Sequence, residues 1–469
     1  MLDAYLSYFE TQRTAFTIPG HKQKAHRLDE GLGAVVDSDT PLYGGLDEIK
    51  LTEGTLKKAE ELAASLWGAD YARFSTGGST HANQAIILAL GKPGDKVAIT
   101  RTAHRSVLSA LVLTGLEPIW LTPDIDEATG VPTGIPVSEL ERVLDQKPIA
   151  LLLTEPGYLG TISELPALIS KAHENSIPVI VDAAWGGHFG FNSHIPQHVL
   201  QLGADALITS VHKALPGYSA SALLLAKGKY LNLARIEQSF ETTHTTSPAG
   251  APLASIDGCR ALLQTRGDQL TGELLQYVQD FKNSVQSHFD APIFLNPGDF
   301  VAGRFDPVKI VLRANLLGLS GVDVEKQLQK ANIRVEMADR DTIVFLATLA
   351  DNVDDFAALA DALIPILKSL QGKPRATQTS LSWSIVPTVA VSMRAAYFAD
   401  TEYVSAQKAI GRVSADLIAP YPPGVAVVAP GEILTETIVS GLSATQKAGV
   451  RIAYASDPTL ATYRVIKTT

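Results

Sequence analysis

An amine, a carboxylate and two imidazoles stand at or just beyond the ends of apolar runs in this chain, where an isolated polar group is costly to bury. The run "ALITS" (206–210) stops at Ser210 and is followed at once by Val211, His212 and Lys213. "IPVIV" stops at Asp182, with Ala183, Ala184 and Trp185 next. "KVAIT" gives way to Arg101, Thr102, Ala103 and His104. "YARFS" gives way to Thr76, Gly77, Gly78, Ser79 and Thr80, just ahead of a helical pattern. Taken singly, each has an ordinary structural reading: a lysine that snorkels to water, an acid that caps a helix or pairs with a cation, a loop histidine, an N-capping turn. Taken together they offer a specific chemistry. Glycines ahead of a helix cradle a phosphate, and a strand-end lysine condenses with an aldehyde. A buried acid holds the proton on a heterocyclic nitrogen while an imidazole stacks on a flat ring.

The elements that must carry these residues alternate from about residue 56. "TLKKAEELAASLW" places Leu56, Ala59, Leu62, Ala63 and Leu66 on one helical face. Strands are expected at "YARFST", "KVAIT", "EPIWL", "ALLLT", "PVIVDAA" and "ADALITS", with helices at "STHANQAIILALG", "HRSVLSALVLTG", "SELERVLDQ" and "ELPALISKAHENS". Short apolar strands alternating with helices predict an α/β domain, a mostly parallel sheet with helices on both faces. Such sheets bind ligands at the carboxyl ends of their strands, and all four polar clusters fall there. A lysine for a Schiff base, an acid for a pyridinium nitrogen and a phosphate cradle are the parts that pyridoxal 5'-phosphate requires of a protein.

The rest of the chain is expected to divide into an N-terminal segment (1–55), the large cofactor-binding domain (56–265), a small α+β domain (266–371) and a linker with a C-terminal domain (372–469). In the last of these "TEYVSAQKAIG" reads as a helix and "TYRVIK" as a strand. At 469 residues, with 46% hydrophobic and 19% charged residues, the chain has ample material for several cores. A formal net charge of −10 disfavours a nucleic-acid or anionic-membrane surface. Cys259 is the single cysteine, which excludes intramolecular disulfides and multi-cysteine zinc sites; no metal is expected. Neither a signal peptide nor a membrane-spanning run is legible, so a soluble cytoplasmic protein is expected.

The segments "FTIPGHKQ", "GGLDEI", "STGGSTHANQAI", "PGDKVAITRTAHRSV", "VDAAWGGHFGF", "SVHKALPGYSASALL" and "APYPPGVAVVAPGE" resemble, in order, those of the bacterial ornithine/lysine/arginine decarboxylase family. That resemblance implies the aspartate-aminotransferase-like (type I) pyridoxal phosphate fold, with smaller C-terminal α+β domains. It implies decarboxylation of arginine, lysine or ornithine to the amine and carbon dioxide, a step of polyamine biosynthesis, in a homodimer with shared active sites. By resemblance Lys213 is the Schiff-base lysine, Asp182 the partner of the pyridine nitrogen, and Ala184 and His104 the residues on the two ring faces. Gly78, Ser79, Thr80, Ser210 and His212 hold the phosphate, and Trp185 lies beside the substrate. Lys213, Asp182, His104 and His212 are the catalytic candidates. The start near "PGHK" is that of the family's short form, without an N-terminal wing domain. A different pyridoxal phosphate reaction, such as transamination or aldol cleavage, and a non-catalytic cofactor-binding protein are the alternatives.

The chain departs from the family pattern at Ala183, where an acid is usual, and at Gly157 in "TEPGYLG", where a threonine is usual. Both bear on the substrate rather than on the cofactor. The distal cation of a basic amino acid requires an acidic partner, and Asp47, Glu48 and Glu432 are the candidates from the entrance-like motifs.

Overall fold

The apolar runs between residues 71 and 226 become strands because both of their faces are covered. In the computed structural model, which describes residues 1–10, 21–40, 42, 46, 54–377, 380–421 and 424–468, they form one seven-stranded sheet. In chain order the strands are β1 (Tyr71–Ser75), β2 (Lys96–Thr100), β3 (Glu117–Leu121), β4 (Leu151–Thr154), β5 (Val179–Asp182), β6 (Ala206–Ser210) and β7 (Ala222–Ala226). Their order across the sheet is β1-β7-β6-β5-β4-β2-β3. Only β7 runs against its neighbours, pairing antiparallel with β1 and β6. Because β7 is the inverted strand, the carboxyl ends of the other six lie along one edge. Every residue of β5, β6 and β7 is buried, as a doubly covered sheet demands.

Helices Gly78–Leu90, Arg105–Thr114, Val137–Val143 and Leu165–Glu174 follow β1, β2, β3 and β4 as the sequence pattern expects. Two further helices were not legible: Leu233–Thr243 and the 37-residue Gly250–Gln286. The long helix runs unbroken through residue 265, so the change of rhythm expected there falls inside one element. A second sheet, β8 (Ile310–Arg313), β9 (Met337–Ala338) and β10 (Thr342–Phe345), has the order β8-β10-β9 and packs with helices Gly321–Lys330 and Val353–Leu370 as a small α+β unit.

The C-terminal region corrects one expectation. "TEYVS" is a strand, β11 (Thr401–Ser405), not the start of a helix; only Ala406–Ala409 is helical. Its register sets Tyr403 opposite Arg464 and Val404 opposite Tyr463 of the terminal strand Thr462–Ile466. Thr401, Tyr403 and Val404 are good strand formers, and cross-strand pairing outweighs the helix-like character of "AQKA". The longest helix among the described residues of this region is Glu436–Lys447, capped by Thr435. None of the helices among the described residues is long and apolar enough to cross a membrane.

Candidate active site

The carboxyl edge of the large sheet opens into a cavity of about 370 Å³, and the strand-end residues meet in it. Gly78, Ser79, Thr80, His104, Asp182, Ala184, Trp185, Ser210, His212 and Lys213 all line it. Residues separated by up to 135 positions are thus gathered from the ends of β1, β2, β5 and β6.

At one end, the turn after β1 leads into helix Gly78–Leu90. No side chain caps this helix, so its first amides remain available to an anion. Gly78 holds φ +70°, a conformation that disfavours a side chain. Ser79 Oγ and Ser210 Oγ lie 2.8 Å apart across the β1 and β6 ends, a pair of hydroxyls beside those amides. His212 donates its Nδ1–H to Ser221 O at 3.1 Å, and burial lowers its pKa. A phosphate beside it would favour its charged form. Behind the turn, Ser75 Oγ bonds His81 Nδ1 at 2.8 Å, and the Thr76 amide donates to His244 Nε2 at 3.3 Å. Burial pushes both imidazoles down to about 4, so the wall that supports the turn is uncharged at neutral pH.

At the other end Asp182 is held from two sides. Asn83 Nδ2 donates to its Oδ2 at 2.8 Å, and the Ala184 amide donates to Oδ1 at 3.1 Å. No ion pair within contact distance joins it to a cation among the described residues, and it lines the cavity. Asn83 also donates to Ser106 Oγ at 2.9 Å, and Ser106 meets His104 Nδ1 at 2.9 Å through its hydroxyl and 3.2 Å through its amide. Nδ1 therefore accepts, and the proton of neutral His104 sits on Nε2. His104 is lowered in pKa by burial and by the Lys213 and Arg105 charges, against the opposing pull of Asp182.

Lys213 follows β6 by three residues, and its Nζ stands 4.3 Å from the centroid of the Trp185 ring. Burial lowers its pKa, while Asp182 and Glu336 act in the opposite direction. A lysine whose charged form is disfavoured is the form of amine that attacks a carbonyl.

The substrate-side acids fare differently. Glu432 is corrected: it is 1% exposed and its carboxylate is committed to Arg101, with Nη1–Oε1 at 2.6 Å and Nη2–Oε2 at 3.0 Å. The Ala429 amide takes a further bond to it at 2.6 Å, and Glu432 does not line the cavity. Its role is to tie the C-terminal region to the sheet. Asp47 and Glu48 lie outside the described residues. Several residues of the cavity were not foreseen. Asn83 and Ser106 orient the acid and the imidazole, and Tyr158, Thr154, Trp383 and Val425 line the walls. Asn83 had a signal: it is a 2%-exposed amide on a helix face otherwise shared with Ala82, Ile86 and Ile87.

The residues present fit pyridoxal phosphate. Thr154 Oγ1 borders the cavity, is buried and has no hydrogen-bond partner among the described residues. Donors for an anion, an acid with no ion-pair partner among the described residues and a desolvated amine all line it. No cluster of metal-ligating side chains occurs among the described residues.

Known proteins resemble this chain along almost its whole length. Residues 1–355 match the family model for the Orn/Lys/Arg decarboxylase major domain, and residues 375–452 match that for the C-terminal domain. The arginine decarboxylase of Bacillus subtilis (strain 168) is 33% identical over 467 residues, 97% of this chain and 95% of that protein. The arginine decarboxylase of Bacillus anthracis is 31% identical, covering 100% of this chain and 97% of that protein. Among solved structures, the Francisella novicida lysine decarboxylase LdcF superposes with a TM-score of 0.84 at 19% identity, over 99% of this chain and 80% of that one. The chain belongs to the Orn/Lys/Arg decarboxylase family and is a decarboxylase.

Proposed function

We propose that this chain removes the α-carboxylate of a basic amino acid using pyridoxal phosphate held on Lys213, with arginine as the first substrate to test. The observation that carries the reading is the meeting of Lys213, Asp182 and His104 in one cavity beside the Gly78–Ser79–Ser210 anion site. Arginine comes first because relatives at 31–33% identity along almost the whole chain bear the name arginine decarboxylase.

When bound, the cofactor supplies an electron sink for the pair released as the carboxylate leaves. The chain's own residues do the rest. Gly78, Ser79, Thr80, Ser210 and His212 receive the phosphate. Asp182, fixed by Asn83 and the Ala184 amide, holds a proton on the ring nitrogen. His104 and Ala184, both lining the cavity, would flank the two faces of the ring. Lys213 forms the covalent link and afterwards can return a proton to the α-carbon. Ile135, Leu159, Trp383 and Val425 give apolar walls, and a less polar setting favours loss of a carboxylate. The reading includes a homodimer; exposed Leu28, Leu32 and Val35 on and beside the helix Glu30–Val36 support a partner on that face.

Two measurements test it. Borohydride reduction after adding pyridoxal phosphate is expected to leave the cofactor's mass on the peptide carrying Lys213; a label confined to other lysines would contradict the assignment. Asp182→Asn keeps the shape of the side chain and removes its charge. It is expected to slow turnover by about 10²–10⁴-fold, the range lost with a positioned proton-holding group. Unchanged turnover would contradict the role given to Asp182.

A further inference from the structure

The loop "TEPGYLG" holds an acid to which the reaction as described gives no part. Glu155 follows β4 directly, and its amide donates to Asp182 O at 3.0 Å, beside the acid of the site. It is 4% exposed and lines the active cavity. It also lines a second cavity of about 430 Å³, and among the described residues it is the only one common to the two. The second cavity lies against residues 297–307, the stretch that leads into β8. Exposed Glu164, Ser193, His194, Gln197 and Ala302 stand around it, so it opens to solvent.

No ion pair within contact distance joins Glu155 to a cation among the described residues. Its carboxyl is held by Ser163 alone, whose amide donates to Oε2 at 3.1 Å and whose hydroxyl donates to Oε1. That hydroxyl accepts the Ile135 amide at 2.8 Å, which turns its own proton toward Glu155. Each carboxyl oxygen keeps a second lone pair on which a proton can sit. Arg304, itself paired with Glu164 at 3.4 Å, attracts the ionised form from the solvent side. Burial outweighs Ser163 and Arg304 together and pushes Glu155 up to about 7. His194 is the other titratable group of the second cavity; Asp182, His104, Tyr158, His212 and Lys213 are those of the active one.

Decarboxylation consumes a proton. The bond to the carboxylate breaks, carbon dioxide leaves, and the bonding pair stays on the α-carbon until a proton takes it. Lys213 can deliver that proton, and the site must then regain one from solvent before the next turnover. We propose that Glu155 is the relay residue for this supply: its carboxyl passes a proton into the active cavity and is reprotonated from the second cavity. The inference rests on the reading of the chain as a decarboxylase of a basic amino acid.

The test compares the cofactor-loaded unsubstituted chain with Glu155→Gln, which keeps the length of the side chain and cannot ionise. Turnover is measured across a pH series with saturating arginine, lysine or ornithine. At neutral pH kcat of the variant is expected to fall about 10²-fold, the lower end of what a positioned acid contributes. Imidazole, a small diffusible acid, is expected to restore part of that kcat as its concentration rises and to leave the unsubstituted chain unchanged. In the unsubstituted chain kcat is expected to fall as pH rises through about 7, because the acid form is the donor. The variant is expected to lack that limb. Equal kcat would overturn the proposal, as would a loss that imidazole leaves untouched or a high-pH limb that persists in Glu155→Gln. Should the Gln variant not fold, Glu155→Asp is read across the same series: a limb that moves supports the relay, and one that stays in place overturns it. Absence of any amine from the unsubstituted chain with all three amino acids would overturn the decarboxylase reading and this proposal with it.

Discussion

Lys213→Ala is expected to abolish covalent attachment of pyridoxal phosphate and to cut turnover by at least about 10³-fold, a loss in the range seen when a positioned nucleophile or acid–base group is deleted. The expectation follows from where the amine stands. β6 is buried along its whole length, so the turn that follows it is anchored to the centre of the sheet, and Lys213 leaves that turn into the cavity. The amine meets the Trp185 ring and makes no hydrogen bond with the described residues, so its removal costs little structure. Lys309 is no substitute, because it stands on the indole without lining the cavity. The variant is therefore expected to fold, to retain an anion site for the phosphate, and to lack only the covalent chemistry. Circular dichroism with reduction and peptide mapping separates these outcomes. Substantial turnover in a folded Lys213→Ala protein would contradict the role of this lysine.

Glu432→Ala is expected to destabilise the protein by about 3–5 kcal/mol, the usual consequence of leaving a buried charge without its partner. Arg101 and Glu432 are each 1% exposed in their side chains. The guanidinium also donates to Val427 O at 2.9 Å and stacks 4.7 Å from the Trp120 ring. Removing the carboxylate strands a fully desolvated Arg101 between the sheet and the C-terminal region. The same region supplies Val425 to the cavity wall, so a rise in KM is expected alongside the lowered unfolding midpoint. Joint replacement, Arg101→Met with Glu432→Leu, is expected to recover much of the stability, since a buried ion pair and a well-packed apolar pair differ little in net free energy. A Glu432→Ala protein that unfolds within about 1 kcal/mol of the parent would place this pair with weak surface bridges instead.

The large domain was legible because its strands are short, apolar and regularly spaced. The residues that interrupt them, Asp182, His104, Ser210 and Lys213, occupy the one sheet edge where polar groups can face a ligand. What escaped notice had a different physical basis. Helix Gly250–Gln286 carries Gly258, Gly267 and Gly272, each worth about 1 kcal/mol against a helix in isolation. Its glycines are explained by contact: a Cβ at Gly267 would lie 3.2 Å from Phe191 Cβ, and one at Gly258 would lie 3.2 Å from Leu2 Cδ2. Such closeness between distant segments is invisible along the chain. The same holds for Glu432, whose place in an entrance-like motif suggested a substrate contact until Arg101, 331 positions away, was found against it. Strand β11 was misread because its partner lies about sixty residues further on, and pairing rather than local propensity decided its form.

The central claim is that this cavity decarboxylates a basic amino acid. Mass-spectrometric product analysis tests it most directly: the protein is supplied with pyridoxal phosphate and, separately, arginine, lysine and ornithine, with carbon dioxide monitored. The account predicts that one of the three, arginine first, yields the amine shorter by its carboxylate, with carbon dioxide released in equal amount. An oxo acid in place of the amine, or no product from any of the three while the cofactor is held on Lys213, would contradict it.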